Sequence, residues 1–80
     1  MDDEQIHNSI ERLVAEEQEL YTRGGGGGLS ESEHNRLESI KVSLDQAWDL
    51  LRQRRALRES GQDPGSAHVR DPEVVERYEQ

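Results

Sequence analysis

Two Glu-x-x-His patterns, Glu4–His7 and Glu31–His34, are the residues best suited to metal chemistry in this sequence. Residues three apart project from the same side of a helix, and carboxylate-bridged di-metal bundles use this spacing. Each pattern lies near the start of one of two helices that we predict to be antiparallel, so the two fall at opposite ends. A di-metal site needs its ligands at the same height along the helix axes. Solvated helix ends are therefore the simpler interpretation, and a metal-binding helical bundle stays an alternative.

A cluster of basic residues is the second chemical feature. It consists of Arg52, Arg54, Arg55 and Arg58. These side chains suit an anion or a partner protein, and a nucleic-acid-associated regulator is an alternative function. The formal net charge of −8 would repel a phosphate backbone at long range. The cluster also lacks aromatic neighbours for stacking bases. We therefore expect a structural or protein-contacting role, with nucleic acid disfavoured.

The first element that must position these residues is a helix over about 3–22. Its apolar residues, Ile6, Ile10, Leu13, Val14, Leu20 and Tyr21, fall in one arc of roughly 120° at about 100° per residue. Asp2 and Asp3 offer N-cap oxygens, and Gly24 is the expected stop. Glu17 interrupts the apolar stripe, and we predict that it pairs with Arg36.

The second element is a helix over about 31–59. Ser30 followed by Glu33 is the signature of a capping box, and Gly61 is the expected end. The main apolar face consists of Leu37, Ile40, Leu44, Ala47, Trp48 and Leu51. Trp48 is predicted to be the largest core residue, at the level of Ile6. Leu50 and Leu57 form a second, narrower line roughly 120° away.

The remaining segments connect or follow the two helices. The glycine run 24–28 lacks the strand, Lys and hydroxyl residue of a phosphate-binding loop, so it is a turn. A short link makes the long helices antiparallel neighbours. In the tail 62–80, Asp63-Pro64-Gly65 predicts a turn, and Asp71-Pro72-Glu73 predicts the start of a short helix over 72–79. The predicted fold is an all-α antiparallel two-helix hairpin, residues 1–61, followed by this tail.

The small apolar content predicts that the hairpin pairs with a second copy. Only 30% of the 80 residues are hydrophobic and there is no Cys, so disulfides and thiol chemistry are excluded. Two stripes leave their edges uncovered, and a homodimeric four-helix bundle would bury them. The candidate interface residues are Val14, Tyr21, Ala47, Leu50, Leu51 and Leu57. An unidentified protein partner is the other expected contact.

Composition and the N-terminal residues limit where the protein is located and which activities it has. No apolar run approaches the roughly 20 residues that cross a bilayer, and the acidic N-terminus is unlike a signal peptide. We expect a cytoplasmic protein with no membrane association. No Ser, His and Asp side chains are placed together by these elements. The sequence therefore predicts no catalytic residue, no bound cofactor and no enzyme activity.

Several stretches resemble a family of small actinobacterial proteins classed as a domain of unknown function. They are Leu29-Ser30-Glu31 with His34 and Leu37, the run from Leu44 to Ala56 that contains Asp45-Gln46-Ala47-Trp48-Asp49-Leu50-Leu51, and Asp71-Pro72-Glu73-Val74-Val75-Glu76 with Tyr78. The resemblance covers nearly the whole chain and implies an actinobacterial, cytosolic origin. It implies no activity, cofactor or site.

Overall fold

The protein is an antiparallel helical hairpin whose C-terminal segment folds back along the second helix. The computed structural model describes residues 2–24 and 28–79, with side chains through Val75. Helix α1 spans Asp3–Gly24 and α2 spans Glu31–Glu59. A 3₁₀ turn at Pro64–Ser66 and helix α3 at Pro72–Glu79 follow, and both contact α2. The described residues form helices and turns without strands, which confirms the all-α prediction.

Pairs of residues three positions apart cap the starts of both long helices. Asp2 Oδ1 accepts from the Gln5 amide at 2.8 Å, and Gln5 Oε1 accepts from the Asp2 amide at 3.0 Å. Ser30 Oγ accepts from the Glu33 amide at 3.2 Å, and Glu33 Oε1 accepts from the Ser30 amide at 3.0 Å. Each reciprocal pair satisfies amides that lack a partner within the helix. The predicted Ser30–Glu33 capping box is confirmed.

Helix α1 is longer than predicted, because it includes Gly24 instead of ending before it. After the helix, the Gly28 amide donates a hydrogen bond to the Gly24 carbonyl at 2.9 Å. A larger residue at position 24 would make the Leu29 side chain shift. An added Cβ would lie 2.6 Å from Leu29 Cδ2, which packs over the helix end. Residues 25–27 of the predicted glycine turn lie outside the described residues.

Gly61 ends α2 and turns the chain back. Its φ of 76° lies in the left-handed region. The Gln62 amide donates to the Leu57 carbonyl at 2.8 Å, and the Gly61 amide donates to the Arg58 carbonyl at 3.1 Å. These two bonds form a Schellman motif, which satisfies carbonyls left over at the helix end. The direction of the tail therefore depends on this residue.

Gly61→Ala should lower the free energy of unfolding by about 1 kcal/mol, because an L-residue pays a penalty of roughly this size in the left-handed region. An added Cβ would meet nothing within 4 Å, so steric collision does not contribute. Urea unfolding followed by circular dichroism measures the loss. Gly61→Asn is the matched control and should lose less, since asparagine tolerates this conformation better. Equal losses for both variants would contradict the explanation.

The core between α1 and α2 contains two clusters of buried residues. One contains Ile6, Ile10 and Leu50, with partly buried Leu44, Ala47, Leu51 and Ala67 packed against it. The other contains Leu20, Leu37 and Ile40, with partly buried Leu13, Leu29 and Leu44. Leu44 contacts both clusters, so the core is continuous along the hairpin. Ile10 therefore packs with Leu44, and Leu20 packs with Leu37.

Two predictions about the core were wrong. Trp48 is 44% exposed, whereas Leu50, predicted to lie at an interface between copies, is 6% exposed and packs with Ile6 and Ile10. Leu50 lies between the side of α2 that meets α1 and the side that meets the tail, so both cover it.

The ion pair predicted for Glu17 is formed by Glu16 instead. Arg36 Nη2 donates to Glu16 Oε1 at 2.7 Å on the surface of the hairpin.

Candidate functional site

An exposed stripe of large side chains runs along one side of the hairpin. His7, Val14 and Tyr21 recur every seven residues and therefore lie in one line along α1. Val14 is 37% exposed and Tyr21 is 51% exposed. On α2 the stripe continues through Trp48, whose ring centroid lies 6.3 Å from that of His7 at an interplanar angle of 78°. We call these four residues the exposed stripe.

The tail packs against α2 on the side away from the stripe. Val75 is fully buried, and Ala67 packs against the cluster of Ile6, Ile10 and Leu50. Gln46 Nε2 donates to the Arg70 carbonyl at 3.1 Å, and Gln53 Nε2 donates to the His68 carbonyl at 2.7 Å. The tail elements thus contact α2 on this side, while the stripe side stays exposed.

A buried carboxylate, Asp49, holds the tail in place. Its side chain is 1% exposed and receives two hydrogen bonds from Arg70, at 2.8 Å from Nε and 2.7 Å from Nη2, with a third from Gln53 at 2.9 Å. Burial alone would raise the pKa of Asp49, but the hydrogen bonds from Arg70 and Gln53, with the charges of Arg70 and Arg52, lower it below its ordinary value. Asp49 is therefore a structural anion.

The sequence patterns did not predict this ion pair. Asp49 stands between Trp48 and Leu50 in an apolar stretch, which was a weak signal that the acid has a partner. The partner is 21 residues away across two turns, and no spacing rule connects them. A cavity of about 570 Å³ lies beside the pair, between α2 and the tail. Leu57, a predicted interface residue, lines this cavity and is partly covered by the tail.

The basic cluster lies at the open end of the hairpin, as predicted, beside the acidic start of α1. Arg54 Nε donates to Asp3 Oδ1 at 2.5 Å, and Arg58 Nη2 lies 3.0 Å from Asp3 Oδ2. The hydrogen bonds from Arg54 and then Arg58 lower the pKa of Asp3. Two of the four predicted anion-contacting arginines thus join α2 to α1.

The other two arginines of the cluster border the exposed stripe. Arg52 and Arg55, with Arg58, Trp48 and His7, line a cleft of about 400 Å³. Arg55 lies 3.7 Å from Glu59, and Arg52 lies 3.8 Å from buried Asp49. The expectation that the cluster has no aromatic neighbour was wrong, because Arg52 and Arg55, one and two helical turns after Trp48, line the same cleft as its ring.

The predicted interface residues divide into three groups. Val14 and Tyr21 lie on the exposed stripe. Ala47 and Leu51 are partly buried and pack against the core cluster of Ile6 and Ile10. Leu50 and Leu57 are covered from the tail side, as described above. The structure therefore brings together only part of the predicted set on an accessible surface.

The described residues contain no group of three or more His, Cys, Asp or Glu side chains placed to hold a metal ion. Glu4–His7 lies at the open end of the hairpin and Glu31–His34 lies at the turn end, as predicted from the antiparallel arrangement. Within the same described ranges, neither long helix has a stretch apolar enough to cross a membrane.

Three relatives of this chain are described as uncharacterised proteins. These three relatives, one from Mycobacterium bovis and two from strains of Mycobacterium tuberculosis, are each 54% identical over 70 residues, covering 86% of this chain and 80% of the relative. No solved structure matches the chain. The profile of a family described as Protein of unknown function (DUF2630) matches residues 2–80. With nearly its whole length matched, the chain belongs to the DUF2630 family.

Proposed function

We propose that this protein is a non-enzymatic oligomerisation module, a helical hairpin that homodimerises through the exposed stripe. The observation that carries the proposal is the contrast between the two sides of the hairpin. The tail packs on α2 at one side, while Val14, Tyr21 and Trp48 stay 37%, 51% and 44% exposed along the other. Exposed apolar side chains aligned along one face are typical of an interaction surface.

The size of the stripe side supports a second copy as its partner. Helix α1 has 22 residues and is about 33 Å long at about 1.5 Å per residue. Two adjacent helices, each about 10 Å across, make a strip of roughly 650 Å² before side-chain relief is counted. Stable interfaces bury about 800 Å² per partner, so pairing of two such strips is of the required order. The result would be a four-helix bundle.

Val14→Asp should convert the dimer to a monomer, because it places a carboxylate in the middle of the apolar line on α1, where pairing would remove it from water. Sedimentation equilibrium at micromolar concentration measures the change. The fold of the single chain should be retained, since Val14 is 37% exposed and belongs to neither core cluster.

Val69→Asp is the matched control, since Val69 is 59% exposed and lies in the tail, away from the stripe. This variant should stay dimeric. A well-folded wild-type chain that sediments as a monomer would refute the proposed function. Equal effects of the two substitutions would show that the stripe is not the interface.

A second candidate function is binding of single-stranded nucleic acid in the cleft beside Trp48. The observation that favours it is the exposed indole next to Arg52 and Arg55, since aromatic rings stack bases while guanidinium groups contact phosphates. Binding of a labelled oligonucleotide should then weaken steeply as salt rises. It should be lost when Arg52, Arg54, Arg55 and Arg58 are all changed to alanine. Binding that ignores these substitutions would exclude this function.

A further inference from the structure

The cavity of about 570 Å³ between α2 and the tail has no part in the proposed dimer. None of the four residues of the exposed stripe lines it, so a second copy seated on the stripe would not fill it. Small-molecule sites have volumes of about 300–1,000 Å³ and combine apolar walls with a few polar groups. The size of this space, which we call the tail cavity, therefore suits a small ligand.

One wall of the tail cavity is apolar. Ala56 and Leu57 contribute to it from α2, and Ala67 contributes to it from the tail. Leu57 and Ala67 are partly buried, whereas Ala56 is exposed. An apolar chain placed against these three side chains would remove their remaining surface from water, which favours binding.

The polar part of the lining is basic, although the whole chain has a formal net charge of −8. Arg52 and Arg70 line the tail cavity, and of the described residues on its lining Asp49 alone is acidic. The Asp49 side chain is 1% exposed and accepts hydrogen bonds from Arg70 and Gln53, so it presents almost no surface to a ligand. Two bases against one acid leave these side chains with one positive charge in excess, which suits a ligand with a single negative charge.

We propose that the tail cavity binds a monocarboxylate with a short apolar chain. The carboxylate contacts Arg52, whose side chain is 51% exposed and lies 3.8 Å from Asp49. A guanidinium carries five N–H donors in a planar fork, so it can contact a second carboxylate beside the first. Arg52 and Ala56 are one turn apart on the same side of α2, which places the anionic contact next to the apolar wall.

The fold holds the site open without the ligand. Arg70 donates to Asp49 at 2.8 and 2.7 Å, and Gln53 Nε2 donates to the His68 carbonyl at 2.7 Å. These bonds fix the tail beside α2, so the ligand enters a cavity whose walls are already in place. Binding to a preformed site avoids the entropic cost of ordering the tail.

Isothermal titration calorimetry of the full chain with octanoate tests the proposal. We expect one equivalent to bind per chain. Affinity should fall about two- to four-fold for each methylene removed in the series from octanoate to hexanoate, because each one buries apolar surface. Octylammonium has the same chain with the opposite charge and should bind about tenfold more weakly or less.

Two substitutions at Ala56 separate charge from size, because Ala56 is exposed and both new side chains are good helix formers. Ala56→Glu places a carboxylate at the cavity beside Arg52 and should weaken octanoate binding about tenfold. Ala56→Gln has nearly the same size without the charge, and its affinity should fall much less. Equal losses for the two variants would overturn the proposal.

The arginines provide a second matched pair. Arg52→Gln should weaken octanoate binding about tenfold, since it removes the charged hydrogen-bond donor. Arg55→Gln removes a charge from the cleft beside Trp48, which is not part of the tail cavity, and should leave the affinity nearly unchanged. Equal effects of these two substitutions would contradict the assignment of Arg52.

A nuclear magnetic resonance titration locates the bound octanoate. The amide signals of Ala56 and Ala67 should shift, and that of Val14 on the exposed stripe should not. No binding of octanoate at millimolar concentration, equal binding of octylammonium, or shifts centred on Val14 would overturn the proposal. None of these results bears on the proposed dimer, which depends on the exposed stripe and is measured by sedimentation.

Discussion

Ile40→Ala should lower the free energy of unfolding by about 2–5 kcal/mol, which is the cost of emptying a fully enclosed site in a tight core. Ile40 is 0% exposed and packs between Leu20 and Leu37, with Leu13, Leu29 and Leu44 around them. An 80-residue domain has a total stability of only about 4–12 kcal/mol, so this single change removes a large share of it. Urea unfolding followed by helical circular dichroism gives the value.

Val69→Ala is the comparison for Ile40→Ala, because Val69 is 59% exposed and removal of its methyl groups leaves no cavity. Its cost should stay below about 0.5 kcal/mol. Similar small losses at both positions would mean that the core between α1 and α2 is not packed as described.

Asp49→Asn should lower the free energy of unfolding by about 2–4 kcal/mol and loosen the tail, because it leaves Arg70 without a buried anion. The amide retains the shape of the side chain but accepts one fewer charged hydrogen bond and brings no charge. Amide hydrogen exchange at Val74 and Val75, whose N–H groups bond to the Asp71 carbonyl, should accelerate more than exchange at Ile10 in α1.

The same variant should change how stability depends on pH. Because the folded-state pKa of Asp49 lies below its unfolded value, the ionised carboxylate stabilises the fold at neutral pH. This contribution is fully present above the unfolded pKa of about 3.9 and is lost as the pH falls through the folded-state pKa. The Asp49→Asn variant lacks this contribution at every pH. Its free energy of unfolding should therefore fall less steeply below about pH 4 than that of the wild-type chain.

Asp45→Asn is the matched control one turn earlier on α2, where the side chain is only partly buried. It should cost less than about 0.5 kcal/mol, as surface substitutions usually do. If Asp49→Asn costs as little, or if exchange in α1 accelerates as much as exchange in α3, the ion pair does not hold the tail.

Local chemistry in the sequence was enough to determine the helices. The bounds of α2 and α3 agree with the predicted 31–59 and 72–79, because Ser30 and Glu33 cap one start, Pro72 begins the other, and Gly61 ends α2. These signals act within four or five residues, so they operate before any tertiary contact forms. The pairing of Asp3 with Arg54 and Arg58 follows from the antiparallel hairpin, which brings the start of α1 beside the end of α2.

Only the tertiary structure decided which side of α2 is buried and by what. Apolar residues lie on more than one side of this helix, so its periodicity could not choose between Trp48 and Leu50. Leu50 is buried because α1 and the returning tail meet over it, while Trp48 lies on the side that neither covers. The tail is held there by Asp49 and Arg70, whose partnership depends on a turn at Gly61 and a three-dimensional approach. Helix ends follow from neighbours in sequence, whereas burial follows from elements that arrive from far along the chain.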